Sequence, residues 1–140
     1  MKYFPLFFVI FTMLNSCQSG SSNRGVDASL PDDFKKFYEK FHTDSSYQMK
    51  HIIFPLEGIP SYADSLGLVA NNFYWQEINW DLHKNITDES YRKEYSILPN
   101  DIINEKLILK DKPIGLQRRF AKISGEWMLI YYVGLNSIRQ

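Results

Sequence analysis

The sequence predicts an α+β fold, helices first and an antiparallel sheet after them. Two observations carry this. Apolar residues recur at helical spacing near the front of the chain, in SLPDDFKKFYEKFH, and as short β-prone runs between turn signals toward its end, in EKLILKD, IGLQRRFAKI and WMLIYYVG. No internal repeat or glycine-rich phosphate loop appears, and helices segregated from strands argue against a parallel α/β sheet.

In the first helix Phe34, Phe37, Tyr38 and Phe41 stand at i, i+3, i+4 and i+7, one apolar stripe. Ser29 and Asp32 read as an S-x-x-D start signal, and Pro31 suits the first helical turn. Thr43 or Asp44 is placed to cap a second short helix, SSYQMKHI. In the IIFPLEG that follows, Pro55 allows only an edge or terminating strand. Gly58 to Asn72 reads as loop, punctuated by Gly58, Pro60 and Gly67. Within FYWQEINWDLHKN, the positions of Trp75, Ile78 and Leu82 suggest a short helical segment. Tyr91 to Leu98 reads as a strand stopped by Pro99 and Asn100, and three further strands joined by DKP and SGE turns complete a meander.

Ahead of this domain, Lys2 precedes an apolar run from Phe4 to Leu14, the pattern of a secretory signal. The run is short of the roughly 20 apolar residues a membrane-spanning helix needs. Leu14, Asn15, Ser16 and Cys17 resemble the bacterial lipobox, which implies removal of residues 1–16 and acylation of Cys17, the one cysteine of the chain. The alternative is a secreted protein with a free thiol. Acyl chains at about 0.8 kcal/mol per buried methylene would hold the protein on a membrane, more than one chain being needed for stable anchoring. Gln18 in place of an aspartate implies the outer membrane, and the lack of acids in QSGSSNRG favours the leaflet facing the periplasm. Residues 17–29 are then the lipidated cysteine and a flexible tether. Residues 30–140 form one domain long enough to fold alone.

With 16 basic and 16 acidic residues there is no electrostatic case for nucleic acid. His42, His51 and His83 are scattered without metal-ligand spacing, so neither a metal nor a cofactor is expected. Asp44, Asp81 and His83 are the candidate acids and bases. A working pair must meet within hydrogen-bond reach, which spacing does not establish, so no catalytic residue is assigned.

The closing hairpin is more informative. With a two-residue Ser124-Gly125 turn, Leu116, Arg118, Phe120 and Lys122 share a face with Trp127, Leu129, Tyr131 and Val133, and Arg118 lies opposite Tyr131. A three-residue turn would bring Arg119 inward instead. An inward arginine needs an acceptor. That acceptor is either an anionic ligand or a carboxylate of the domain such as Glu77 or Asp81, unless the side chain reaches the rim. Trp75 and Trp80 either line the mouth of such a site or fill core.

The segment FKKFYEKFHTDSSYQMKHIIFPLEG, the Trp75 and Trp80 pair, and RRFAKISGEWMLIYY together resemble a family of uncharacterised Bacteroidetes lipoproteins with a nuclear transport factor 2-like, or cystatin-like, fold. The resemblance implies N-terminal helices packed on a curved antiparallel sheet, a cone whose interior is often a pocket. It implies no activity, because that fold hosts enzymes, binding modules and interaction domains. The expectation is a lipid-anchored, non-enzymatic domain binding a small molecule or a protein, with Trp75, Trp80, Arg118 and Tyr131 as ligand contacts. The alternatives are a small isomerase or hydrolase using an Asp or His in the cone, and a structural subunit of an envelope complex. A homodimer through the open sheet face is expected by analogy.

Overall fold

The computed structural model describes residues 29–63, 65 and 73–137. The signal segment, Cys17 and most of the tether, and with them much of the expected loop before Asn72, lie outside the described residues. Helix α1, Asp32–Thr43, buries Phe34, Phe37, Tyr38 and Phe41, the predicted stripe. Its N-cap is Pro31, not Ser29, and the helix starts two residues later than an S-x-x-D box would have it. Lys35 N donates to Pro31 O (3.1 Å), and the Asp33 carboxylate accepts from its neighbour Phe34 N (2.9 Å). Helix α2, Ser45–Lys50, is capped as expected, the Asp44 carboxylate accepting from Tyr47 N (2.9 Å).

Six strands follow: β1 Leu56–Ile59, β2 Phe73–Trp75, β3 Tyr91–Leu98, β4 Ile102–Leu109, β5 Ile114–Ile123 and β6 Glu126–Ser137. They form one sheet in the order β2-β1-β6-β5-β4-β3. The sheet is mixed, because β1 runs parallel to β6 while every other pair is antiparallel. Strand β1 is not an edge. Pro55 stands just before its first residue, so the missing N–H removes nothing from the ladder and β1 sits between β2 and β6.

The segment around Trp75 is not helical. Phe73–Trp75 pairs with β1, and only Glu77–Asn79 makes a single 3-10 turn. Two tertiary demands override the local pattern: the ladder with β1, and the Trp75 indole, whose Nε1 donates to Tyr132 O (3.0 Å). Gly58 makes this approach possible, since a Cβ there would lie 1.9 Å from Tyr132 O and 2.7 Å from Trp75 Nε1.

The core lies between α1 and the sheet. Phe120 on β5 meets the rings of Phe34, Phe37 and Phe41 at 5.5, 5.6 and 5.7 Å, mostly edge to face. Leu30, Tyr38, Ile52, Leu56, Ile103, Trp127, Leu129 and Trp80, one of the predicted ligand contacts, complete it.

The hairpin turn has the predicted two residues, with Ile123 opposite Glu126. Its register nevertheless shifts between Arg119 and Phe120, where β6 carries one extra residue. Phe120 faces Leu129, but Arg118 faces Tyr132 and Arg119 faces Tyr131. The expected pairing of Arg118 with Tyr131 is therefore corrected: the bulge exchanges the two faces of β6 from Tyr131 to Val133, before a second shift opposite Gly115–Gln117. Tyr131 lies with Arg119, whose guanidinium stands 4.6 Å from its ring, away from the helix-covered face. Val133, opposite Gln117, moves to that outer face with it.

Candidate functional site

On the helix-covered face, one row of directly opposed residues runs across four strands: Tyr95 on β3, Glu105 on β4, Arg118 on β5 and Tyr132 on β6. Glu105 and Arg118 are 0% and 1% exposed, so this ion pair is in the interior. Arg118 Nε donates to Glu105 Oε2 (2.7 Å), while Glu105 Oε1 accepts from the hydroxyls of Tyr38 (2.5 Å) and Tyr95 (3.1 Å). Three donors thus hold one carboxylate, as a buried charge requires. The carboxylate that meets Arg118 is Glu105, whereas Glu77 and Asp81 are both exposed.

His42 closes the network from α1. Its Nδ1–H donates to Tyr38 O (2.8 Å), which leaves Nε2 as the acceptor for Arg118 Nη1 (2.7 Å). Burial and then the neighbouring guanidinium hold the His42 pKa down, at about 4, in keeping with a neutral ring. Burial and then the Glu105 carboxylate push the Tyr38 and Tyr95 phenols up, so both stay protonated donors. For Arg118 burial opposes the charge, but Glu105 together with Tyr38, Tyr95 and Tyr132 more than offsets it and the guanidinium is held ionised.

Two buried polar atoms of this region, Arg118 Nη2 and His83 Nδ1, have no hydrogen-bond partner among the described residues. His83 packs against Tyr132 and Trp80, with ring centres 4.5 Å from each. Its backbone is held by Gln48, a buried side chain of α2. Gln48 Nε2 donates to His83 O (2.7 Å) and to Phe41 O (2.6 Å), and its Oε1 accepts from His83 N (2.7 Å) and Trp80 Nε1 (3.3 Å). Burial, then Arg118 and His42, lower the His83 pKa well below the ordinary range, so this ring is also neutral.

Of the residues singled out in the sequence, the structure brings Trp75, Trp80 and His83 together around Tyr132, the cross-strand neighbour of Arg118. Asp44 caps α2, and Asp81 is exposed. The His83 ring packs inward, although its neighbours Asp81, Leu82 and Lys84 are exposed. Among the described residues no three His, Cys, Asp or Glu side chains gather as metal ligands.

Sequence reasoning passed over Glu105, Tyr38, His42, Gln48 and Tyr132. Glu105 had a signal: it alternates with Ile103 and Leu107, which puts a carboxylate on the same face as two core residues. The others had none. Tyr38 looks like core, His42 and Gln48 are ordinary helix residues, and Tyr132 depends on the bulge.

Comparison with known proteins bears on the fold. No family model and no curated protein matches the chain. Among solved structures, a cystatin-like protein from Bacteroides caccae superposes with a TM-score of 0.54 at 20% identity, over 76% of this chain and 78% of its own. The fold is nuclear transport factor 2-like. A nuclear transport factor 2-like protein from Bacteroides fragilis gives the same TM-score, 0.54, at 18% identity over 77% of this chain. This chain spans 47% of that protein's length, about half of it. The helix-covered face with its Glu105–Arg118 pair is the inner face of this sheet. The scaffold itself is compatible with ligand binding or with a small enzyme.

Proposed function

We propose that this protein is a lipid-anchored binding domain of the bacterial cell envelope, and that the inner face around Arg118 holds a small molecule. The observation that carries the reading is Arg118 Nη2, a buried charge-bearing donor without a partner among the described residues, beside an aromatic wall of Trp75, Trp80 and Tyr132. Buried donors are almost always paired, and one that is not calls for an explanation, of which an acceptor supplied by a bound molecule is one. An apolar wall with few polar anchors is the usual form of a small-molecule site. Tyr131 is left out of the contact set because the bulge turns it away.

The anchor rests on the lipobox resemblance at Cys17. Native mass spectrometry of the full chain carrying Cys17→Ser tests the binding reading: a co-purifying small molecule released on denaturation is expected, and a clean apo mass in every host counts against it. Fractionation of the same variant tests the anchor, which predicts its loss from the membrane fraction. Unchanged membrane association would overturn lipidation.

A second reading as an enzyme has one observation behind it. Of Asp44, Asp81 and His83, only His83 meets the inner face, and as a neutral imidazole beside a guanidinium it suits a proton acceptor.

A further inference from the structure

The chemistry around Arg118 narrows what the site can take. Nε is engaged by Glu105 and Nη1 by His42, so Nη2 is the guanidinium nitrogen left without a partner among the described residues. His42 has no N–H to offer, because its own donates to Tyr38 O. Lys93 on β3 is the other cation turned to this network, half-buried, 5.7 Å from the Tyr38 ring and bonded to Asn85 Oδ1. Two cations against the one Glu105 carboxylate leave room for one negative charge. A dianion such as a phosphate monoester would meet Glu105 and, from the rim, the exposed Asp81, whose field already reaches Tyr132. A neutral acceptor would forgo the charge-assisted bond.

We propose, building on the ligand-binding reading above, that the inner face recognises a small organic monocarboxylate with a flat apolar body. One carboxylate oxygen takes the Arg118 Nη2–H. The other takes the Nδ1–H tautomer of His83, so that both unpartnered atoms are satisfied at once. The apolar body lies against Trp80 and Tyr132, whose rings stand 5.5 Å apart, roughly edge to face.

The test uses the full chain carrying Cys17→Ser with nitrogen-labelled arginine, titrated with phenylacetate, indole-3-acetate and 2-naphthoate. The matched carboxamides and phenyl phosphate serve as controls. At least one carboxylate is expected to shift the Arg118 side-chain resonances and to bind about tenfold or more tightly than its amide or the phosphate, the scale of one charge-assisted hydrogen bond. Arg118→Lys keeps a charge facing Glu105 but lacks Nη2, and should weaken binding about tenfold. His83→Phe keeps the ring packing and should weaken it several-fold, so loss in both variants with folding intact by circular dichroism separates recognition from stability. Equal binding of acid and amide, or binding untouched in both variants, overturns the proposal. If none of the carboxylates binds but the purified protein carries a neutral or phosphate-bearing molecule, the monocarboxylate class fails and the binding reading stands. If nothing binds, both fail.

Discussion

Truncating Arg118 to leucine leaves the Glu105 carboxylate buried with only the Tyr38 and Tyr95 hydroxyls, and breaking a buried ion pair from one side costs about 3–5 kcal/mol. Replacing both partners is a different change. In the double variant Arg118→Leu, Glu105→Gln, set against the singles Arg118→Leu and Glu105→Gln, the Gln carbonyl still accepts from the tyrosines and no charge is left unpaired, so most of that loss should return. Urea unfolding of the two single variants and the double one measures this directly. Near-additive losses would mean that the pair is not coupled. Gly58→Ala is expected to cost about 1–3 kcal/mol, the range for forcing atoms into a filled space, because the new methyl meets backbone and the indole Nε1. A melting temperature equal to that of the parent would refute the close contact.

At the scale of elements, α1 was legible and the segment after β2 was not. The stripe of Phe34, Phe37, Tyr38 and Phe41 is a local pattern and it survives in the fold. Trp75, Ile78 and Leu82 have helical spacing too, yet Trp75 ends a strand and Ile78 is 91% exposed. What holds this stretch is contacts with distant residues, Gln48 at Trp80 and His83 and the Tyr132 carbonyl at Trp75. Gln48→Leu should therefore release it selectively. His83 N, His83 O and Phe41 O lose their partners at about 1–3 kcal/mol for each group left buried. Hydrogen exchange should speed up at His83 while the amides of β5 and β6 stay protected. Uniform acceleration would instead mean that Gln48 supports the whole domain.

At the scale of the molecule, the buried network makes stability depend on pH. His42 has an ordinary pKa of 6.5 when unfolded and about 4 in the fold, so between those values the unfolded chain binds a proton that the native protein does not. Stability is then full above about pH 6.5 and falls as the pH drops toward 4, by about 3 kcal/mol from this residue, with His83 acting in the same direction. Denaturant unfolding at pH 7.5 and pH 4.5 should show the loss, and His42→Gln, which can still accept from Arg118, should reduce it. An equal loss in parent and variant would assign it to other groups.

The sequence by itself determined the fold class, the two helices, the last four strands and a tight closing turn, whose length of two residues the tertiary structure fixed. Each of these follows from patterns within about a dozen neighbouring residues: periodicity, a cap, a turn dipeptide. It also placed Arg118 on the inner face, since the alternation along β5 holds from Phe120 back to Arg118. Only the tertiary structure decided what Arg118 meets. One extra residue in β6 put Tyr132 beside it in place of Tyr131, the β4–β5 register put Glu105 across from it, and α1 laid His42 and Tyr38 over both. Local alternation says which way a side chain points, but its partner depends on strand register and helix placement, and those are set by the packing of the whole domain.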